Sequence, residues 1–389
     1  MTEPHNYVSL LQCPEYDNRL LKETIRQSLA NIGFDVKLFQ NARVVLKPNL
    51  LMPSKDEKAI ITHSAFFRAA AQVVKEHGGK PVLLESPAIH ALERTVKKTR
   101  YAEVVTSEGI EIADPAITRP LHYQDAHRFR HIDISQGYFD ADIILSLPKF
   151  KTHGITYITG AVKLLFGAVY GTEKSKMHLR APTPESLSDF LLDLYGAMTY
   201  GFSPPKPIIH IMDAICAMEG EGPGTSGTPK WLKAILASEN GIAMDYVATM
   251  VAGLDVNKAL TVVNGFKRGY GVSSPDEIKV VGASINDLRV ADFRPATGST
   301  VFSAVFRWPF NTSTMKNLLL DRPIPREERC TLCYQCKKIC ASGAISESVG
   351  PERVPAYDYN TCIRCYCCLE ICPEAAIEKK KGRLQWVMG

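Results

Sequence analysis

Between Cys330 and Cys340 the chain reads CTLCYQCKKIC, and between Cys362 and Pro373 it reads CIRCYCCLEICP. Both stretches follow C-x2-C-x2-C-x3-C. No other feature restricts the fold as strongly, because closely spaced thiolates in a turning backbone suit three irons of one cubane, while the fourth cysteine opens a helix leading away. On this spacing Cys330, Cys333, Cys336 and Cys372 are expected to hold one 4Fe-4S cluster, and Cys362, Cys365, Cys368 and Cys340 a second. Zinc is the competing ligand chemistry, but zinc modules pair two C-x2-C units across a longer loop. Cys367 is an additional thiol; Cys368, not Cys367, keeps the spacing on both sides.

The segment from about 326 to 380 resembles the bacterial two-cluster ferredoxins. ASGAI after Cys340 and PEAAI after Cys372 repeat that family's turn, which makes an internal duplication visible; the family's proline after the fourth cysteine is Ala341 in the first half. The resemblance implies two 4Fe-4S clusters, electron transfer, and a redox protein as donor or acceptor.

Eleven cysteines in a small secreted chain would suggest disulfides, but this chain has 389 residues and most of its cysteines sit at metal-ligand spacing. A reducing, cytoplasmic compartment is therefore expected. The net charge of +5 is modest and the basic residues are scattered, which argues against nucleic acid as a partner. The start is polar, without the pattern of a signal peptide, and no apolar run is long enough for a membrane span.

From residue 7 to about 294 short aliphatic runs alternate with polar or glycine-rich turns and helical periodicity, the signature of an α/β domain with a large, mostly parallel sheet and flanking helices. Strands are expected at 44–47, 81–85, 110–113, 142–147, 207–212, 233–237 and 278–282, and helices at 18–31, 64–78, 184–200 and 243–254. A small C-terminal ferredoxin-like α+β domain completes the expected fold, with boundaries at 1–294, a connecting segment at 295–325, and 326–389. In the connecting region Phe302, Phe306, Trp308 and Phe310 read as an apolar docking face.

In open α/β sheets the carboxyl ends of the strands line the ligand crevice. Polar residues gather after these strands: Lys47 and Asn49; Glu85 and Ser86; Lys149, Lys151 and His153; then Asp213, Glu219, Gly220, Gly222 and Gly224. Lys47, Asn49, Lys149, Asp213, Glu219, Gly222 and Gly224 are the candidates for holding an anionic ligand or cofactor, with the glycines letting backbone N–H groups approach it. Lys151, His153 and Lys163 are the candidate catalytic groups; His153 can be a base, a metal ligand or a cap. GAVYGTEKS has the wrong spacing for a P-loop, and GEGPG does not open a helix as a dinucleotide fingerprint does.

Together KPN at 47–49, TH at 62–63, PKFKTH at 148–153, GAVK and FG within 160–167, and DAICAMEGEGPG resemble the domain of unknown function 362 family over most of residues 7–290. Members often carry a C-terminal ferredoxin-like domain, and the resemblance implies architecture more than activity. Ser64 stands where the family often has proline, and Leu164 where it usually has asparagine. Two functions follow as expectations. In the first, an oxidoreductase passes electrons through the clusters to a ligand in the α/β cleft; in the second, the chain is a carrier or maturation partner that docks on another enzyme. A cluster-stabilised binding protein for a small anion is a third.

Overall fold

The computed structural model of the chain describes residues 6–297 and 312–382. Its strands are, in chain order, β1 (Tyr7–Gln12), β2 (Arg43–Pro48), β3 (Lys80–Leu83), β4 (Glu111–Ile112), β5 (Thr118–His122), β6 (His131–Ser135), β7 (Ile143–Leu147), β8 (Lys149–His153), β9 (Tyr157–Thr159), β10 (Ile208–Gly220), β11 (Gly227–Ser238) and β12 (Lys279–Gly282). Apart from the β5–β6 ribbon they build one sheet in the order β12-β1-β11-β10-β7-β2-β3-β4, with β8 added beside β10 and β9 beside β8. Along that order only the β1–β11 and β10–β11 pairings are antiparallel, so the sheet is mostly parallel.

The strands are apolar on both sides because both faces are covered. Val44 and Leu46 of β2, with Leu145 of β7 and Ile211 of β10, pack under helices Asn18–Asn31 and Ser64–Glu76. Val45, Ile144 and Met212 point the other way, against helices Pro184–Tyr200 and Gly241–Val251. The two-residue period of a strand thus assigns alternate side chains to two cores. Each fully buried aliphatic side chain contributes about 1.5–3 kcal/mol.

Local chemistry fixes the helix starts. Asp17 accepts from Leu20 N at 2.9 Å, Thr183 and Ser186 form a reciprocal capping box behind Pro184, and Asn240 accepts from Ile242 N and Ala243 N at 3.0 and 3.1 Å.

Two departures from the sequence expectation shape the site. The stretch 149–153 is itself a strand, because Phe150 points into the core while the lysines find partners inside the protein. The strand expected at 207–212 runs on to Gly220 and turns back as β11, making a long hairpin whose tip carries the glycines.

In the C-terminal region β13 (Arg322–Pro325) pairs with β16 (Ile377–Lys380), and β14 (Ile345–Ser346) with β15 (Ala356–Tyr357). Short helices follow at Gln335–Ile339 and Cys367–Ile371. The repeat seen in the sequence recurs in the backbone: Leu332 and Tyr334 have positive φ, as do Arg364 and Tyr366. These elements do not by themselves establish the distinct ferredoxin-like domain that the sequence led us to expect. Ile339, Cys367 and Ile371 belong to the same apolar core as Ile60, Ile215 and Met218 beneath the large sheet, so the two parts share buried surface. The proposed docking face of Phe302, Phe306, Trp308 and Phe310 lies outside the described residues.

Candidate functional site

The carboxyl ends of β2, β3 and β7, together with β8 and β10, gather lysines in the interior. Lys47 is fully buried and donates to Glu85 Oε2, while Glu85 Oε1 accepts from Ser86 N at 2.8 Å. Burial pulls the Lys47 ammonium below its ordinary pKa, and the Glu85 carboxylate opposes that pull. Gly167 lies against the pair: a Cβ there would fall on Glu85 Oε1 and 2.5 Å from Lys47 Nζ, so the close approach requires glycine.

Lys149 faces Asp213 across the β8–β10 pairing. Its Nζ donates to Asp213 Oδ2 at 2.8 Å and to the Tyr16 hydroxyl at 2.9 Å, and that hydroxyl donates to Asp213 Oδ1 at 2.8 Å. His63 N also donates to Asp213, at 3.0 Å, and the His63 ring stacks on Tyr16 with centroids 3.7 Å apart. Lys47 and Lys149 therefore each have a carboxylate partner.

Lys151 has none within ion-pair distance among the described residues. Its Nζ donates to Asn49 Oδ1 at 2.9 Å and to Ile60 O at 2.7 Å. Burial first, then the charge of Lys163, holds its pKa well below the ordinary value. Lys163 sits in the helix Ala161–Leu164, whose first amides, Ala161 N and Val162 N, donate to Asp245 at 2.6 and 3.1 Å. Among the described residues Lys163 Nζ makes no hydrogen bond or ion pair; the nearby Glu370 carboxylate only partly offsets the lowering of its pKa by burial.

His153 is buried, and its Nδ1 accepts from Ile155 N at 3.0 Å and Thr156 N at 3.3 Å. That arrangement puts the ring proton on Nε2, which faces Glu370 Oε1 at 3.3 Å. Burial, followed by the charge of Lys163, keeps the imidazole neutral, with its pKa well below the usual value. Burial likewise lowers His178 to about 4. It lowers Lys174 to about 7; the Lys174 ammonium donates to Ser86 O at 2.6 Å and Val169 O at 3.0 Å. Beside it a cleft of about 380 Å³ opens at the ends of β3 and β4, bounded by residues 86–93, 112–115 and 170–172.

The fold thus brings together Lys47, Asn49, Lys149, Lys151, His153, Lys163 and Asp213. Glu219 turns elsewhere, accepting from Arg294 N and Nε at 2.9 and 2.8 Å. The hairpin glycines are occupied by the protein itself. Gly220 N, Gly222 N and Gly227 N donate to Arg294 O, Gly220 O and Gly224 O at 2.8, 2.8 and 3.1 Å. A Cβ on Gly222 would strike the Thr152 carbonyl, and one on Gly224 the Glu370 carbonyl. Sequence reasoning missed Tyr16 and Glu370. Tyr16 lies almost 200 residues from Asp213, and Glu370 lies inside the second cysteine motif, where the cysteines dominate the reading.

The cysteine expectation is corrected. Among the described residues there is no group of three or more His, Cys, Asp or Glu side chains that could hold a metal ion. Cys330, Cys333, Cys336 and Cys372 do line one cavity, with Pro325, Tyr334, Tyr357 and Ile377. Nonetheless, Cys372 Sγ accepts from Ala376 N at 3.3 Å, Cys340 Sγ contacts Ser342 Oγ at 3.6 Å, and Cys365 shares a hydrogen bond with Cys367. Cys362 and Cys368 are raised in pKa by burial. Spacing along a chain states which thiols can become neighbours, whereas a ligand set needs their sulfur atoms to converge. The absence of such a group among the described residues overturns the two 4Fe-4S clusters, electron transfer in either form, the oxidoreductase reading built on it and the redox partner. No described helix is long and apolar enough to cross a membrane.

The chain is 32% identical over 252 residues to the Thylakoid-associated protein sll1697 of Synechocystis sp., covering 64% of this chain and 75% of that protein. Its backbone partly overlays that of the lactate racemase apoprotein from Thermoanaerobacterium thermosaccharolyticum, with a TM-score of 0.40 at 10% identity, covering 62% of this chain and 57% of the other. A protein from Thermotoga maritima gives a TM-score of 0.38 at 13% identity, covering 62% of this chain and 60% of the other. Residues 44–250, which hold the lysines described above, match the family described as a domain of unknown function (DUF362), and the chain belongs to that family.

Proposed function

We propose that the chain binds a small anion at the strand ends, with Lys151 and Lys163 supplying positive charge and His153 Nε2 a hydrogen-bond donor. The observation that carries this reading is the imbalance at the two lysines. Lys151 has only neutral partners, and Lys163 has no hydrogen-bond or ion-pair partner among the described residues. An ammonium largely withdrawn from water and not paired directly with a carboxylate is costly, so the two lysines gain stability either by losing a proton or by taking an anion. Lys47 and Lys149 belong to the frame: each is paired with a carboxylate and holds the strand ends in place. The residues also support proton transfer on the bound anion. Nε2 of His153 is a donor of fixed tautomer.

Isothermal titration calorimetry with inorganic phosphate, acetate and malonate in a low-chloride buffer tests the reading. The unmodified chain is expected to bind at least one of the three, and Lys163→Met, which keeps the length of the side chain, is expected to lose about tenfold or more in affinity, the scale of one charge-assisted contact. No binding by the unmodified chain, or undiminished binding in a folded Lys163→Met protein, would overturn it.

A further inference from the structure

Glu370 is a carboxylate that the C-terminal region delivers to the strand ends of the large sheet. Its Oε1 lies 3.3 Å from His153 Nε2, and burial raises its pKa against the opposing charges of Lys163, Lys151 and Lys379. The groups around Glu370 thus include both lysines and the histidine assigned to the anion. None of the three lysines comes within ion-pair distance of Glu370 among the described residues, whereas the His153 imidazole faces its carboxylate at 3.3 Å.

The segment that carries Glu370 is anchored by contacts that do not involve its carboxylate. Gly224 of the hairpin tip lies so close to the Glu370 carbonyl that a Cβ has no room. Thr225 Oγ1 donates to Cys372 O at 2.5 Å, and Lys379 pairs with Glu221 at 2.6 Å. Ile371 is buried in the core beneath the sheet. The side chain can therefore leave its place while the backbone stays docked.

We infer that the site takes a carboxylate, and that Glu370 occupies the position of the ligand's carboxylate as an intramolecular competitor. The inference rests on the anion-binding reading above. A side-chain carboxylate has the same two oxygens and the same charge as the head of a small carboxylic acid, so the groups that face Glu370 can face such a ligand once Glu370 turns aside. A tethered competitor has a high effective concentration, and it keeps a carboxyl group near the two lysines between ligands.

Calorimetry with acetate and inorganic phosphate on Glu370→Ala, Glu370→Gln and the double variant Glu370→Ala/Lys163→Met separates the possibilities. Glu370→Ala vacates the position and is expected to bind acetate about tenfold or more tightly than the unmodified chain. Glu370→Gln removes the charge but keeps the bulk, and is expected to gain less. The double variant is expected to lose the gain. Equal gains in the Ala and Gln variants would overturn occupancy, since loss of repulsion alone would then explain them; a gain for phosphate without one for acetate would overturn the carboxylate. Unchanged acetate affinity in Glu370→Ala, with Lys163→Met still weakening the unmodified chain, overturns the inference and leaves the anion site standing. Undiminished binding in Lys163→Met overturns both.

Discussion

The buried pair Lys47–Glu85 lends itself to a double-mutant cycle. The Lys47 side chain is 0% exposed and that of Glu85 6%. At a charge separation on the order of 3 Å and an effective dielectric of about 20, their attraction is roughly 5–6 kcal/mol, against a desolvation cost of several kcal/mol for each ion. The net contribution of the intact pair is therefore small, but either ion alone would bear its cost uncompensated. Glu85→Leu and Lys47→Met are each expected to destabilise the chain by about 3–5 kcal/mol, whereas the double variant Lys47→Met/Glu85→Leu is expected to recover most of that loss. Urea unfolding followed by circular dichroism, on both single variants and the double, gives the coupling energy. If the two single losses simply add in the double variant, the two side chains are not coupled as a buried ion pair.

Asp245 is fully buried at the start of the helix bearing Lys163, and burial raises its pKa from 3.8 to about 7. Its ionised form is disfavoured by folding, so the stability linked to it is complete below about pH 4 and falls as pH rises through about 7; Asp245→Asn is expected to flatten that part of the stability profile in urea titrations, and an unchanged slope would contradict the assignment. Gly224→Ala places a methyl group on the Glu370 carbonyl and is expected to loosen the C-terminal region, seen as faster limited proteolysis after residue 312 with the core before 297 still resistant. Equal protection of Gly224→Ala and the unmodified chain would show that the contact is not tight.

Much of the large domain was legible in the sequence because both faces of its sheet are covered. Continuous aliphatic runs such as those at Val44–Leu46 and Ile143–Leu147 cannot be satisfied at a solvated surface, and helices such as Asn18–Asn31 and Pro184–Tyr200 announce themselves through Asp17 and through the Thr183 capping box. The gathering of Lys47, Lys149, Lys151 and Asp213 followed from the rule that ligands face the carboxyl ends of parallel strands. What misled was local spacing. The PKFKTH stretch looks like a polar loop, but two of its lysines find partners inside the protein and the third residue of the stretch, Phe150, enters the core. The cysteine motifs state an order along the chain and not a convergence of sulfur atoms.

The sequence by itself determined the alternation of strand and helix, the two-sided burial of the sheet and the choice of strand ends as the place where charge collects, because each depends on residues near one another in the chain. Only the tertiary structure decided which lysine has a carboxylate and which does not. That depends on Glu85 meeting Lys47 across 38 residues, Asp213 meeting Lys149 across 64, and Glu370 arriving from the C-terminal region to face His153. A buried charge is fixed by whatever partner the folded chain brings to it, and that pairing is not written in local pattern.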